Sequence, residues 1–145
     1  MKIRKLGLAI ALTVWGSALG IGVSHAETDT LYEDMGGADN VRKIASDALD
    51  NYLADDRIKH SFDESNIDRV RQKLEEQFCV VAGGPCTYTG HNMVITHKGL
   101  HLTDADFNAV VEDLQKAMDK DGVPFPVQNR FLARLAPLER EIVTR

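Results

Sequence analysis

Residues 90–102, Gly90-His91-Asn92-Met93-Val94-Ile95-Thr96-His97-Lys98-Gly99-Leu100-His101-Leu102, decide how this chain is read. The apolar run Met93-Val94-Ile95 leads into His97, and Gly99 two residues later disfavours a long regular helix. His97 is therefore expected on a short, irregular helical turn between longer elements. A histidine so placed can aim a neutral ring nitrogen at a metal while its other nitrogen donates to a backbone carbonyl, which fixes the tautomer. Taken alone, the stretch is equally readable as a core or surface histidine with no ligand role.

Four longer segments surround this turn, and each carries helical spacing. Before it, Val41, Ile44, Ala45, Ala48, Leu49 and Leu53 share one face, as do Ile67, Val70, Leu74, Phe78 and Val81. After it, Phe107, Val110, Val111, Leu114 and Met118 make a third stripe. Val127, Phe131, Leu135, Leu138 and Ile142 make a fourth, with Pro137 as a kink. Ser65 followed by Asp68, and Thr103 followed by Asp106, read as helix starts with a capping residue and an acid three positions on. Gly36-Gly37, Gly83-Gly84-Pro85 and Asp121-Gly122 punctuate the helices. No segment alternates with period two. The expected fold is all-α with an irregular middle, and the second and third stripes face that middle from both sides. A planar apolar group would fill such a gap, and haem has that shape, with a histidine on one side of the iron and apolar residues on the other.

The first 26 residues read as a secretory signal. Lys2, Arg4 and Lys5 form a basic start, Leu6 to Val23 is apolar, and Ser24-His25-Ala26 precedes Glu27 as a cleavage site. An uncleaved membrane anchor is the alternative, since the apolar run is about long enough to span a bilayer. Cleavage leaves residues 27–145, one domain with one core. It removes three of the 17 basic residues and none of the 22 acidic ones, so the formal charge moves from −5 to −8. That balance argues against a nucleic-acid surface or a stable membrane contact, and the leader implies a periplasmic or secreted protein. Cys79 and Cys86 flank Gly83-Gly84-Pro85, which can turn the chain back on itself. In an oxidising compartment the pair reads as a disulfide, with two free thiols as the alternative.

Several motifs together resemble the group I truncated, or 2/2, haemoglobins. They are Leu31-Tyr32-Glu33-Asp34-Met35-Gly36-Gly37, Leu53 through Phe62, Gly83-Gly84-Pro85 with Tyr88-Thr89-Gly90, and Met93 with His97 four residues on. Phe107-x-x-Val110-Val111 and Gly122-Val123-Pro124 complete the series. Each is weak alone, but their order and spacing run through nearly the whole chain after the leader. The resemblance implies a globin-like, truncated two-over-two helical sandwich around haem b. It makes His97 the proximal iron ligand. The implied haem contacts are Leu49, Phe62, Val70, Lys73, Leu74, Phe78, Met93, His97, Leu102, Phe107 and Val110. Cys79 and Cys86 do not form the Cys-x-x-Cys-His attachment signature, so the haem is expected to be non-covalent.

The departures from the family pattern concern the gas side of the iron. Leu49 stands where a tyrosine is common and Leu74 where a glutamine is common, with Val70 at the remaining position. Tyr52, Lys73 and Gln77 are the nearby polar candidates; the alternative for Tyr52 is a phenol packed at a helix edge with its hydroxyl wet. Lys73 stands where some relatives place a side chain that closes the iron, which makes it a candidate sixth ligand. The expected function is binding of a diatomic gas, oxygen or nitric oxide, for oxygen transport or nitric oxide detoxification. Enzymatic turnover such as nitric oxide dioxygenation or peroxidation would need a separate electron donor. The alternatives are an electron-transfer or redox-sensing haem protein closed by Lys73, and a zinc site built from His91, His97 and His101.

Overall fold

The computed structural model describes residues 29–144, so the expected leader and its expected cleavage site lie outside the described residues. Every regular element among them is helical: α1 (Leu31–Asp34), α2 (Gly37–Ala54), α3 (Ile67–Val81), α4 (Met93–Thr96), α5 (Asp104–Lys120), α6 (Phe125–Leu135) and α7 (Glu139–Ile142). Single 3₁₀ turns at Lys59–Phe62 and Ala136–Leu138 complete the set. Helices α2, α3, α5 and α6 are the four long ones that the apolar stripes anticipate.

Helix α2 is the hub, packing chiefly on α3 and on α5, while α5 and α3 each also meet α6. Its stripe of Val41, Ile44, Ala45, Ala48 and Leu49 is buried throughout, and the two alanines let the neighbouring helices approach closely. Phe131 of α6 is fully buried and meets Phe78 of α3 edge to face at 5.3 Å, which ties the two layers together. Among the described residues no helix is long and apolar enough to cross a membrane.

The caps explain where the helices begin. Thr103 accepts from Asp106 N at 3.3 Å while Asp106 accepts from Thr103 N at 2.9 Å, a full capping box at the start of α5. At α3 the cap is Asn66, whose side chain accepts from Arg69 N at 3.0 Å. Ser65 is displaced from the expected role because its own N–H already closes the preceding turn on Phe62 O. The last apolar stripe is not one kinked helix. Pro137 has no N–H to continue the ladder, so α6 stops at Leu135, one 3₁₀ turn follows, and α7 restarts at Glu139.

Cys79 and Cys86 are joined in a disulfide with Cα atoms 5.9 Å apart. It fastens the end of α3 to the loop that follows. Gly84 lies inside this closed loop against the Tyr32 ring and the Cys79 sulfur, where an added Cβ would fall 2.6 and 2.7 Å from them. No larger residue fits there without moving the disulfide or the α1 aromatic.

Candidate functional site

Between α3 on one side and α4 and α5 on the other lies a largely apolar cavity of about 480 Å³. Its position follows from the breaks in the chain. Gly83-Gly84-Pro85 ends α3, α4 is a single turn, and Gly99, with φ +83°, ends it again. No continuous helix can close over the gap.

His97 caps α4 at its C-terminal end. Its backbone N–H and its ring Nδ1 both reach the Met93 carbonyl, at 3.0 and 2.9 Å. A carbonyl only accepts, so Nδ1 carries the proton and Nε2 keeps its lone pair. His97 is half-buried and lines the cavity. Asn92 starts this turn by accepting from Ile95 N at 2.9 Å, which places Met93 and His97 one turn apart.

The cavity brings together ten of the eleven residues expected to contact a cofactor. Phe62, Val70, Lys73, Leu74 and Phe78 line it from the 3₁₀ turn and α3. Met93, His97, Leu102, Phe107 and Val110 line it from α4, the following loop and α5. Leu49 is the exception: it is 0% exposed, sits in the core, and is not among the lining residues. Tyr52, one turn further along α2, reaches the cavity instead. The two are three residues apart on a 3.6-residue period, so they share a side of α2 but lie at different depths along it.

Tyr52 is buried rather than packed at an exposed helix edge. It is 3% exposed and stacks on Phe62 with ring centroids 6.2 Å apart. Burial, reinforced by the charge of Asp113, pushes its hydroxyl pKa well above the usual phenol value, so it remains a neutral hydroxyl.

Lys73 lines the cavity, yet its ammonium is bound elsewhere. Nζ donates to both oxygens of Glu76, each at 2.9 Å, and to the Thr89 hydroxyl. Thr89 in turn donates to Glu76 through its N–H at 2.9 Å and its hydroxyl at 2.8 Å. The Lys73 bond, then the Thr89 bonds, hold the Glu76 carboxyl at about 2. Gln77, the remaining polar candidate, donates to Met93 Sδ at 3.3 Å.

His91 lines the cavity from the loop while His101 does not. Among the described residues no group of three or more histidine, cysteine or acidic side chains is placed to hold a metal, so His91, His97 and His101 do not converge as a zinc set.

Several lining residues escaped the sequence reading. Asn66 and Arg69 extend the Val70, Lys73, Leu74 face at helical spacing and were accessible from periodicity alone. Leu138 and Ile142 also line the cavity, brought there by the break at Pro137. Ser61 carried no sequence signal. Other atoms of Ser61 line the cavity, while its Oγ is buried and has no hydrogen-bond partner among the described residues.

Comparison with known proteins agrees with this arrangement. The model of the family described as bacterial-like globin matches residues 30–144. This chain belongs to the group 1 truncated haemoglobins. It is 32% identical over 119 residues to the group 1 truncated hemoglobin GlbN of Mycolicibacterium paratuberculosis, covering 82% of this chain and 88% of that protein. It is 37% identical over 101 residues to the protein of the same name from Synechocystis, covering 66% and 80%. Among solved structures, the truncated hemoglobin of Tetrahymena pyriformis in its Fe(III) form superposes with a TM-score of 0.77 at 27% identity, over 79% of this chain and 98% of that one. The all-helical architecture is thus the 2/2 globin fold, and membership of a truncated haemoglobin family implies haem-based binding of a diatomic gas.

The residues fit haem. The cavity is largely apolar, His97 on its wall has its ring oriented by the Met93 carbonyl, Phe62 is stacked on Tyr52, and Asn66, Arg69 and His91 add polar residues to the lining.

Proposed function

We propose that this protein holds non-covalent haem b through His97 and uses it to bind oxygen or nitric oxide outside the cytoplasm. The observation that carries this reading is the His97–Met93 pair: the backbone carbonyl accepts a hydrogen bond from Nδ1–H, which leaves Nε2 as the nitrogen available to a metal, on a residue that lines a largely apolar cavity. When bound, haem supplies an iron centre with one position for His97 and one for a gas. Phe62, Phe107 and Val110 would pack on the macrocycle and exclude water, and Arg69 would meet its polar edge.

The residues on the other face favour exchange over storage. On α3, Val70 and Leu74 offer no donor, Gln77 is engaged with Met93, and Lys73 is engaged with Glu76 and Thr89, while the Tyr52 ring on α2 is held against Phe62. A hydrogen bond to a partly charged ligand is worth about 1.5–3 kcal/mol, so its absence shortens the lifetime of bound oxygen by about tenfold or more. This suits a protein that turns gas over, as in nitric oxide detoxification with an electron from a separate donor protein, better than one that stores oxygen. The reading of an electron-transfer protein closed by Lys73 is less well supported, because the lysine already has three hydrogen-bonding contacts away from the cavity centre. The leader sequence and the Cys79–Cys86 bridge support the extracytoplasmic location.

Oxygen displacement from the ferrous protein, followed by stopped flow, tests the gas side. Wild type should release oxygen rapidly, and Leu74→Gln, which adds a donor, should slow release by about tenfold or more. Equal rates in the two proteins would mean that position 74 does not face the gas.

A further inference from the structure

We infer that Glu76 and Thr89 are positioning residues that park Lys73 away from the iron and so keep the gas position open; this rests on the haem reading above. Lys73 lies between Val70 and Leu74 on the helix covering the cavity, and it lines that cavity. A lysine there has a flexible four-carbon stem and a lone pair once its proton is lost, which makes it a competitor for the iron. The structure shows what restrains it.

Both carboxylate oxygens of Glu76 accept from Lys73 Nζ at 2.9 Å. The second oxygen also accepts the Thr89 N–H and hydroxyl, at 2.9 and 2.8 Å. Gln72 Nε2 adds a further bond to the first oxygen at 3.2 Å. The Thr89 hydroxyl therefore accepts from lysine and donates to glutamate, closing a ring of three side chains. Two of the three members are partly sheltered, the Lys73 and Glu76 side chains being 20% and 18% exposed, while Thr89 faces solvent. Such charge-assisted, mutually reinforcing bonds are stronger than a wet surface pair.

Glu76 follows Lys73 by three residues, so one face of α3 presents both. Thr89 belongs to a different segment, the loop beyond Cys86. The Cys79–Cys86 bridge fastens that loop to α3 one turn after Glu76, which sets the register in which Thr89 meets the carboxylate. The disulfide loop is thereby connected to the gas side of the cavity through two side chains.

The test uses the haem-loaded protein at one fixed pH near neutrality, with the ferric spectrum and the cyanide association rate as readouts. Wild type should be mainly high-spin and bind cyanide quickly. Glu76→Ala should become mainly low-spin, and Thr89→Val should move the same way. If about nine-tenths of the iron is closed by lysine, cyanide association slows by about tenfold, because only the open fraction binds. The double variant Glu76→Ala/Lys73→Ala should return to the high-spin spectrum and the fast rate, which a general loss of structure would not do. Unchanged spectra and rates in Glu76→Ala and Thr89→Val would overturn the inference. So would a low-spin state that survives in the double variant, or a wild type already low-spin through Lys73. A protein that takes up no haem would instead overturn the haem reading beneath it, an outcome distinguishable at the first spectrum.

Discussion

The Nδ1 atom of His97 lies 2.9 Å from the backbone carbonyl of Met93, one turn earlier on α4. The bond has two effects. It orients the ring, and it leaves the lone pair of Nε2 for a metal. His91 and His101 have no comparable ring bond to a carbonyl among the described contacts. His97→Ala should therefore lose the normal Soret band or hold haem weakly, whereas His91→Ala and His101→Ala should keep it. Loss of the band in either of those two, with His97→Ala unaffected, would reassign the ligand.

Reduction of the Cys79–Cys86 bridge should raise the intact mass by two protons per chain. A loop closed by a bridge spanning seven positions contributes about 2–3 kcal/mol in the chain-entropy model. Cys79→Ser/Cys86→Ser should lower the denaturation free energy by about that amount in urea titrations. Two thiols alkylatable without reductant would contradict the pairing.

Asp55 at the end of α2 gives the fold a dependence on acid. Its hydrogen bonds to the Arg57 side chain and then to the Arg57 N–H hold its carboxyl at about 2, against an ordinary value of 3.8. A carboxyl depressed in the folded state stabilises fully above its unfolded pKa, and that contribution is lost as pH falls through the folded one. The stability difference between wild type and Asp55→Asn should therefore be constant above about pH 5. It should shrink from about pH 4 downward and vanish near 2. Urea titrations at pH 6, 4 and 2 would show it; a difference that grows on acidification would invert the assignment.

The leader is testable directly. If Ala26 precedes the cleavage site, N-terminal sequencing of exported protein begins at Glu27-Thr28-Asp29. Full-length chain recovered from membranes would establish an anchor instead.

Much of the architecture was legible because periodicity reports burial. Three of the apolar stripes became α2, α3 and α5, the fourth was divided at Pro137 between α6 and α7, and the break at Gly99 foretold the single turn that carries His97. What the sequence could not show depended on depth and partner choice. Leu49 and Tyr52 lie on one side of α2, and spacing alone does not say which is core and which meets the cavity. Ser65 and Asn66 are both good caps, and the choice was made by the turn that Ser65 already closes. Lys73 was readable as a residue of the site, and it lines the cavity, but its partners were not legible: Glu76 is local, whereas Thr89 belongs to the loop beyond the disulfide.

The central claim is that the cavity is a haem site with His97 on the iron, and a titration of the apoprotein with ferric haem tests it most directly. The account predicts a Soret band that saturates at one haem per chain, with reversible carbon monoxide binding after reduction and no saturating band in His97→Ala. Absence of a stoichiometric Soret band in wild type, or an identical titration in His97→Ala, would contradict it.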